Sequence, residues 1–144
     1  VFVARQLVKH QVGLVWNEVS RRYVDSKPEF YMPKVWRGKP ENKKQGSSEK
    51  EIQYNIDSTI QYVTETYNNL LKSGVAPEMA RMVLPQNMMT EWYWTGSLMA
   101  FCRVVNLRNK DDTQEETRML SNQITEHLHK HFPISAESLI DEKV

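Results

Sequence analysis

The chain has 144 residues, 40% of them hydrophobic, which suits one globular domain with a real core and falls short of the length that suggests two. Nineteen Lys and Arg against 18 Asp and Glu leave a formal net charge of +1 and a pI near 8.0, so bulk charge does not direct the protein to a polyanion and any anion site has to be built locally. A single cysteine, Cys102, excludes an internal disulfide. No apolar run approaches the ~20 residues that span a bilayer, and no signal-like start is present, so a soluble, cytoplasmic protein is expected.

Phe2 to Gln11 reads as a short apolar helix or a strand leading into one, and the Gly13 region as a loop that delivers Asn17 to Arg22. Phe30-Tyr31-Met32 and Val35-Trp36, interrupted by Pro33, predict an edge strand or extended segment, since proline cannot donate to a central ladder. From Arg37 to Ser48 the composition is that of a solvated loop. Ser48 with Glu51 three residues later has the pattern of a capping box. Ile52, Ile56, Ile60, Val63, Tyr67 and Leu70 then recur every three or four residues up to Gly74, which predicts a long helix. Pro77 opens a shorter helical pattern that carries Arg81 and ends near Pro85.

Met88 to Thr95, bounded by Asn87 and Gly96, predicts a strand with Trp92 and Trp94 on one face and Glu91 and Tyr93 on the other. Ser97 is the expected N-cap of a helix with the stripe Leu98, Phe101, Cys102, Val105 and Leu107, ending at Arg108, and Cys102 reads as a small buried hydrophobe within it. A second capping box, Thr113 to Glu116, opens a last helix that presents Met119, Leu120, Ile124 and Leu128 and stops before Pro133. The sum is an α+β domain over residues 1–144, with helices covering a small, mostly antiparallel sheet. A glycine-rich phosphate loop is missing, so a nucleotide would be held by side chains and helix ends.

The most informative stretch is Gln6 to Tyr23, QLVKHQVGLVWNEVSRRY, which crowds Lys9, His10, Gln11, Asn17, Glu18, Ser20, Arg21 and Arg22 between apolar positions. Arg22 offers a planar fork of donors that matches a phosphate, with a hydroxyl nearby on Ser20. Taken singly, Lys9, Arg21 and Arg22 read as solvated charges and His10 as a satisfied histidine. Their order tells more. The segment resembles the signature of the flavin-dependent thymidylate synthases, an Arg-His-Arg triplet followed after seven or eight residues by Ser, in a pattern ending Asn-Glu-x-Ser-x-Arg-Tyr.

That ending is complete here as Asn17-Glu18-Val19-Ser20-Arg21-Arg22-Tyr23, the spacer Val12 to Val19 has the longer form, and Gln6 also matches. Of the triplet only His10 is kept: Lys9 retains charge without the bidentate fork, and Gln11 retains hydrogen bonding without charge. Further on, Arg81-Met82-Val83-Leu84-Pro85 resembles the family's Arg-x-x-Leu-Pro element. Thr90 and the aromatic run to Thr95 resemble its next strand, Asn106-Leu107-Arg108 its Leu-Arg helix end, and Gln114-x-Glu116 the start of its last helix. The likeness extends from Gln6 to about Pro133.

The resemblance implies reductive methylation of dUMP to dTMP, with methylenetetrahydrofolate giving the carbon, reduced FAD the hydride and NADPH reducing the flavin. It assigns Gln6, Lys9, Glu18, Ser20, Arg22, Arg81 and Arg108 to dUMP, with Ser20, Arg22 and Arg81 on the phosphate. Arg108 is the implied catalytic residue, a guanidinium at the uracil edge that stabilises the ionised ring, because carbon 5 is a poor nucleophile until electron density enters the ring. Lys9, His10, Gln11 and Ser97 are assigned to FAD. Ser97 stands where the family usually has Asn, Met99 and Arg103 replace other polar positions, and Asp112 stands where a histidine is common. The family's phosphate pocket is shared between subunits, which implies a homotetramer. Its members carry more sequence before the signature, including strands and flavin contacts, so an N-terminally incomplete fragment is expected.

Other readings rest on smaller features. His127, His129 and His131 include a one-turn pair with metal-ligand spacing but no accompanying acidic or cysteine set, so no metal is expected. Lys34, Arg37, Lys39, Lys43, Lys44 and Lys50, with Tyr31 and Trp36, make the best case for the alternative, a non-enzymatic module that grips single-stranded nucleic acid. Glu41 and Glu49 dilute it, and neither a nucleic acid nor a membrane is an expected partner. An inactive remnant is the remaining alternative.

Overall fold

Helices and short strands follow most of the periodicities of the sequence. The computed structural model describes residues 1–23, 26–41 and 45–141. In chain order it contains α1 (Phe2–Leu7), β1 (Leu14–Glu18), β2 (Trp36–Arg37), β3 (Glu51–Ile52), α2 (Asp57–Lys72), α3 (Pro77–Ala80) running into a 3-10 turn at Arg81–Val83, β4 (Trp92–Gly96), α4 (Leu98–Arg108), α5 (Glu115–His131) and α6 (Pro133–Leu139). The architecture is α+β, with the strand pairs β1–β4 and β2–β3 and helices over the rest. Among the described residues no helix is long and apolar enough to cross a membrane.

The chain divides into two compact units, each assembled from three segments. The first comprises Val1–Phe2, Asn17–Trp36 and Ile52–Tyr93. Its main element is α2, which buries Tyr67 and ends in a Schellman motif: Gly74 adopts φ +83°, its N–H donates to the Leu71 carbonyl, and Val75 N–H donates to that of Leu70. Pro77 occupies the first turn of α3, where its missing N–H costs nothing. Phe30 bridges Met88 antiparallel, and Val19 N–H donates to the Glu91 carbonyl at 2.9 Å, the continuation of the β1–β4 ladder.

The second unit comprises Val3–Trp16, Arg37–Glu51 and Trp94–Val144. Cys102 and Val105 of α4, Leu128 of α5 and Ala136 of α6 form its core, with Leu98, Phe101, Ile124, Leu139 and Ile140 packed against them. Trp94 meets Trp16 edge-on at 5.3 Å and Phe101 at 5.4 Å, contacts worth about 0.5–1.5 kcal/mol each beyond their burial. Gly13 turns the chain into β1 at φ +75°, and a β-carbon there would sit 3.2 Å from Ala100 Cβ and 3.3 Å from Ser97 Oγ. The left-handed backbone calls for glycine, and a side chain there would also need these neighbours to give by a few tenths of an ångström.

Several expectations are corrected. Asn17 and Glu18 end a strand instead of lying in a loop. The Ser48–Glu51 pattern is not a helix cap: Ser48 N–H donates to the Gly38 carbonyl, and Glu51 and Ile52 form β3. Ladder bonds with the chain around β2 win over the local cap, and α2 begins five residues past Ile52, where Asn55 Oδ1 accepts from Asp57 N–H at 2.7 Å. Nor does Thr113 cap α5, whose Glu116 carboxylate is taken by Arg37 at 2.6 Å, a charge-assisted bond stronger than a neutral cap. Leu107 and Met119 are more than half exposed, so the core-facing stripes are narrower than predicted. Pro133 does more than stop α5, since it opens α6 at a first-turn position.

Candidate functional site

Within the second unit, Arg108 is the last residue of α4, and two hydrogen bonds fix its guanidinium. Nε donates to His10 Nε2 at 2.8 Å, and Nη2 donates to the backbone carbonyl of Gln6 at 2.9 Å. Gln6 lies at the end of α1, where a carbonyl has no partner within its own helix, so Arg108 supplies one. Among the described residues two of five guanidinium N–H donors are spent, leaving three for a ligand.

His10 accepts from an arginine that is always protonated, so its Nε2 is bare and the neutral ring carries its proton on Nδ1. Burial, then the charge of Arg108, lowers the imidazole pKa below its ordinary value of 6.5. Trp94 tilts against the same ring at 6.5 Å.

Arg108 lines a cavity of about 330 Å³, within the range of small-ligand sites. Gln6, Gln45, Asp112 and Gln114 supply polar groups around it and Leu107 an apolar one. Gly46, at φ +80°, lets its segment approach the Asp112 carbonyl closely. Arg37 steadies this end of α5: its Nε lies 3.0 Å from Ser47 Oγ and 3.2 Å from the Glu115 carboxylate, while Nη2 binds Glu116. Burial pushes the Glu116 carboxyl upward, but the hydrogen bond and charge of Arg37, helped by Gln114, hold it below the ordinary carboxylate value.

The four residues assigned to a flavin also lie in this unit. Ser97 Oγ accepts from Ala100 N–H at 3.2 Å as the N-cap of α4, which leaves its hydroxyl hydrogen free to donate. Lys9 and Gln11 have exposed side chains with no hydrogen bond to another described residue, and His10 has Nδ1–H to offer. The ammonium, amide, hydroxyl and imidazole N–H of these four residues are donors of the kind that suits the acceptor-rich edge and phosphates of FAD.

The phosphate candidates lie in the first unit. Ser20 Oγ accepts from Arg22 N–H at 3.3 Å. Arg22 Nε lies 3.7 Å from the Glu78 carboxylate, its guanidinium 5.4 Å above the Tyr23 ring, and Arg81 Nε donates to the Glu78 carbonyl at 3.3 Å. Both arginines therefore converge on Glu78. The Arg22–Glu78 pair is about half exposed on each side, so it is a weak surface bridge that a phosphate can displace. Glu18 Oε1 accepts from Thr90 Oγ1 at 2.8 Å.

Three participants had no role in the sequence reading: Glu78, Gln114 and Thr117. Gln114 Oε1 accepts from Gln6 Nε2, and the buried Thr117 hydroxyl donates to Gln6 Oε1 at 3.0 Å. Gln114 is marked only as part of the Gln114-x-Glu116 match, and no local pattern marks Glu78 or Thr117. Of the basic stretch, Arg37 is committed to Glu115 and Glu116, and Lys43 and Lys44 lie outside the described residues. His127 and His131 stack at 6.1 Å, and among the described residues no three His, Cys, Asp or Glu side chains gather as a metal set.

The family described as thymidylate synthase complementing protein matches residues 1–134. A flavin-dependent thymidylate synthase of Thermus thermophilus is 37% identical over 139 residues, covering 94% of this chain and 51% of that protein. One from Aquifex aeolicus is 37% identical over 133 residues, covering 88% and 42%. The chain thus spans about half the length of the curated relatives it matches. The crystal structure of a UMP/dUMP methylase, PolB from Streptomyces cacaoi, bound with 5-Br dUMP, superposes with a TM-score of 0.78 at 26% identity, covering 95% of this chain and 65% of that one.

Proposed function

The chain belongs to the thymidylate synthase complementing protein family, that of the flavin-dependent thymidylate synthases, and from this we propose that the whole protein methylates dUMP to dTMP, using methylenetetrahydrofolate, FAD and NADPH. The observation that carries the proposal is Arg108, held by His10 and Gln6 on the wall of a polar cavity with three donors unspent. A fixed cation beside a pyrimidine favours loss of its ring N–H proton, and the resulting anion makes carbon 5 nucleophilic toward a one-carbon donor. Because the guanidinium is already held, little reorganisation is needed when that charge develops.

Bound FAD, reduced by NADPH, would supply the hydride. Lys9, His10, Gln11 and Ser97 would hold it through the donors they have left. Gln6, Lys9, Glu18, Ser20, Arg22, Arg81 and Arg108 are the proposed dUMP residues. Ser20, Arg22 and Arg81 take the phosphate, a role supported by the exposed donors gathered at Glu78. The family match runs through both units, which supports reading residues 1–144 as one catalytic domain. A homotetramer and a reducing, cytoplasmic setting, in which the buried thiol of Cys102 stays free, belong to the same proposal.

The test is the visible spectrum of the full-length protein with and without NADPH, together with turnover of dUMP. A yellow protein that bleaches with NADPH and forms dTMP is expected, and Arg108→Ala should lose at least about a hundredfold in kcat while still binding dUMP. A colourless protein, or full activity in Arg108→Ala, overturns the proposal. Turnover of UMP in place of dUMP corrects the substrate.

A further inference from the structure

We infer that Thr117 is a positioning residue for Arg108, acting through Gln6. The inference rests on the reading of Arg108 as the group that meets the uracil ring. Four hydroxyls within helices of this chain bond one turn back along their own helix: Thr64 to the Ile60 carbonyl, Thr66 to Tyr62, Thr125 to Ser121 and Ser138 to Ile134, all between 2.7 and 3.0 Å. Thr117 departs from this habit. It is fully buried on α5, and its hydroxyl instead crosses to Gln6 Oε1, 111 residues away in sequence.

The consequence follows from the geometry of an amide. Thr117 fixes the carbonyl end of the Gln6 side chain and Gln114 the NH₂ end, so the Gln6 rotamer is locked and the end of α1 is tied to α5. The backbone carbonyl of this same residue receives Arg108 Nη2. Without the hydroxyl, Gln6 Oε1 loses its partner on the side of the buried Thr117, the side chain turns to find another, and the carbonyl that aims the guanidinium moves with it. A misplacement of about 1 Å at a reacting group can cost up to about a hundredfold in rate.

The test compares Thr117→Val, which keeps the shape and removes the hydroxyl, with Thr117→Ser, which restores it. Ser121→Ala is the control for burial, since Ser121 is fully buried one turn along α5 and its hydroxyl makes no hydrogen bond among the described residues. Thr117→Val should lower kcat with dUMP about tenfold with KM changed less than about threefold, Thr117→Ser should recover to within about twofold, and Ser121→Ala should match the wild type. Independently of activity, the ¹⁵N-arginine spectrum should show the Arg108 Nε–H, assigned by its loss in Arg108→Lys, exchanging faster in Thr117→Val and unchanged in Ser121→Ala.

Wild-type kcat in Thr117→Val, or an equal loss in Ser121→Ala, overturns the inference. Should Thr117→Val fail to fold, Thr117→Cys, with a thiol that donates weakly, takes its place in both measurements. A wild-type protein inactive on dUMP removes the proposed function alone. The Nε–H exchange then decides for or against the link from Thr117 to Arg108.

Discussion

Arg108 owes its geometry to a neutral histidine, which makes the arrangement sensitive to acid. Nε2 of His10 can accept from Arg108 only while unprotonated, and a proton there would both remove the acceptor and set a cation against a cation. The folded-state pKa is lowered by burial and by Arg108, so unfolded His10 takes up its proton first as pH falls. The stabilisation is therefore complete above the ordinary value of 6.5 and is lost as pH drops from there through the lower folded value. Thermal melts of the wild type and His10→Gln, whose amide accepts without titrating, should show the wild type losing more stability between about pH 7 and pH 5. Parallel melting curves would separate His10 from that loss.

At the scale of elements, Ser97 joins two roles at the start of α4. Its oxygen caps the helix at Ala100 and its backbone N–H donates to the Gly13 carbonyl, so the turn between α1 and β1 is held to the end of β4. Ser97→Ala should cost about 1 kcal/mol in urea unfolding, and Ser97→Asp should restore most of it, since either oxygen satisfies the orphan amide. Equal stabilities for wild type and Ser97→Ala would show that the cap contributes nothing. The helix, its cap and its end at Arg108 were readable from sequence because caps and apolar periodicity are local. The start of α2 and the cap of α5 differ from the sequence reading because Ser48 and Glu116 answer to groups outside their own turns, the Gly38 carbonyl and Arg37.

At the scale of the whole molecule, large apolar side chains stand open to solvent in the single chain. Tyr93 is 83% exposed and Met82 73% in the first unit, and Ile134 is 81% exposed in the second. Exposed aromatic and methionine side chains of this size are common where subunits meet. The proposed homotetramer predicts that light scattering of the full-length protein at micromolar concentration reports the mass of four chains. A stable monomer that is fully active would remove the requirement for shared sites.

The sequence by itself named the candidates for chemistry. The run from Asn17 to Tyr23, the Arg81 element, Ser97 and Arg108 were legible because they are contiguous motifs or lie at helix ends that local rules mark. Tertiary structure alone decided their partners. It gave His10 to Arg108, drew Arg22 to Glu78, and brought Thr117 to Gln6. A periodicity or a cap is set within a few residues along the chain, whereas a buried donor takes whichever acceptor packing places within about 3 Å, whatever the separation in sequence.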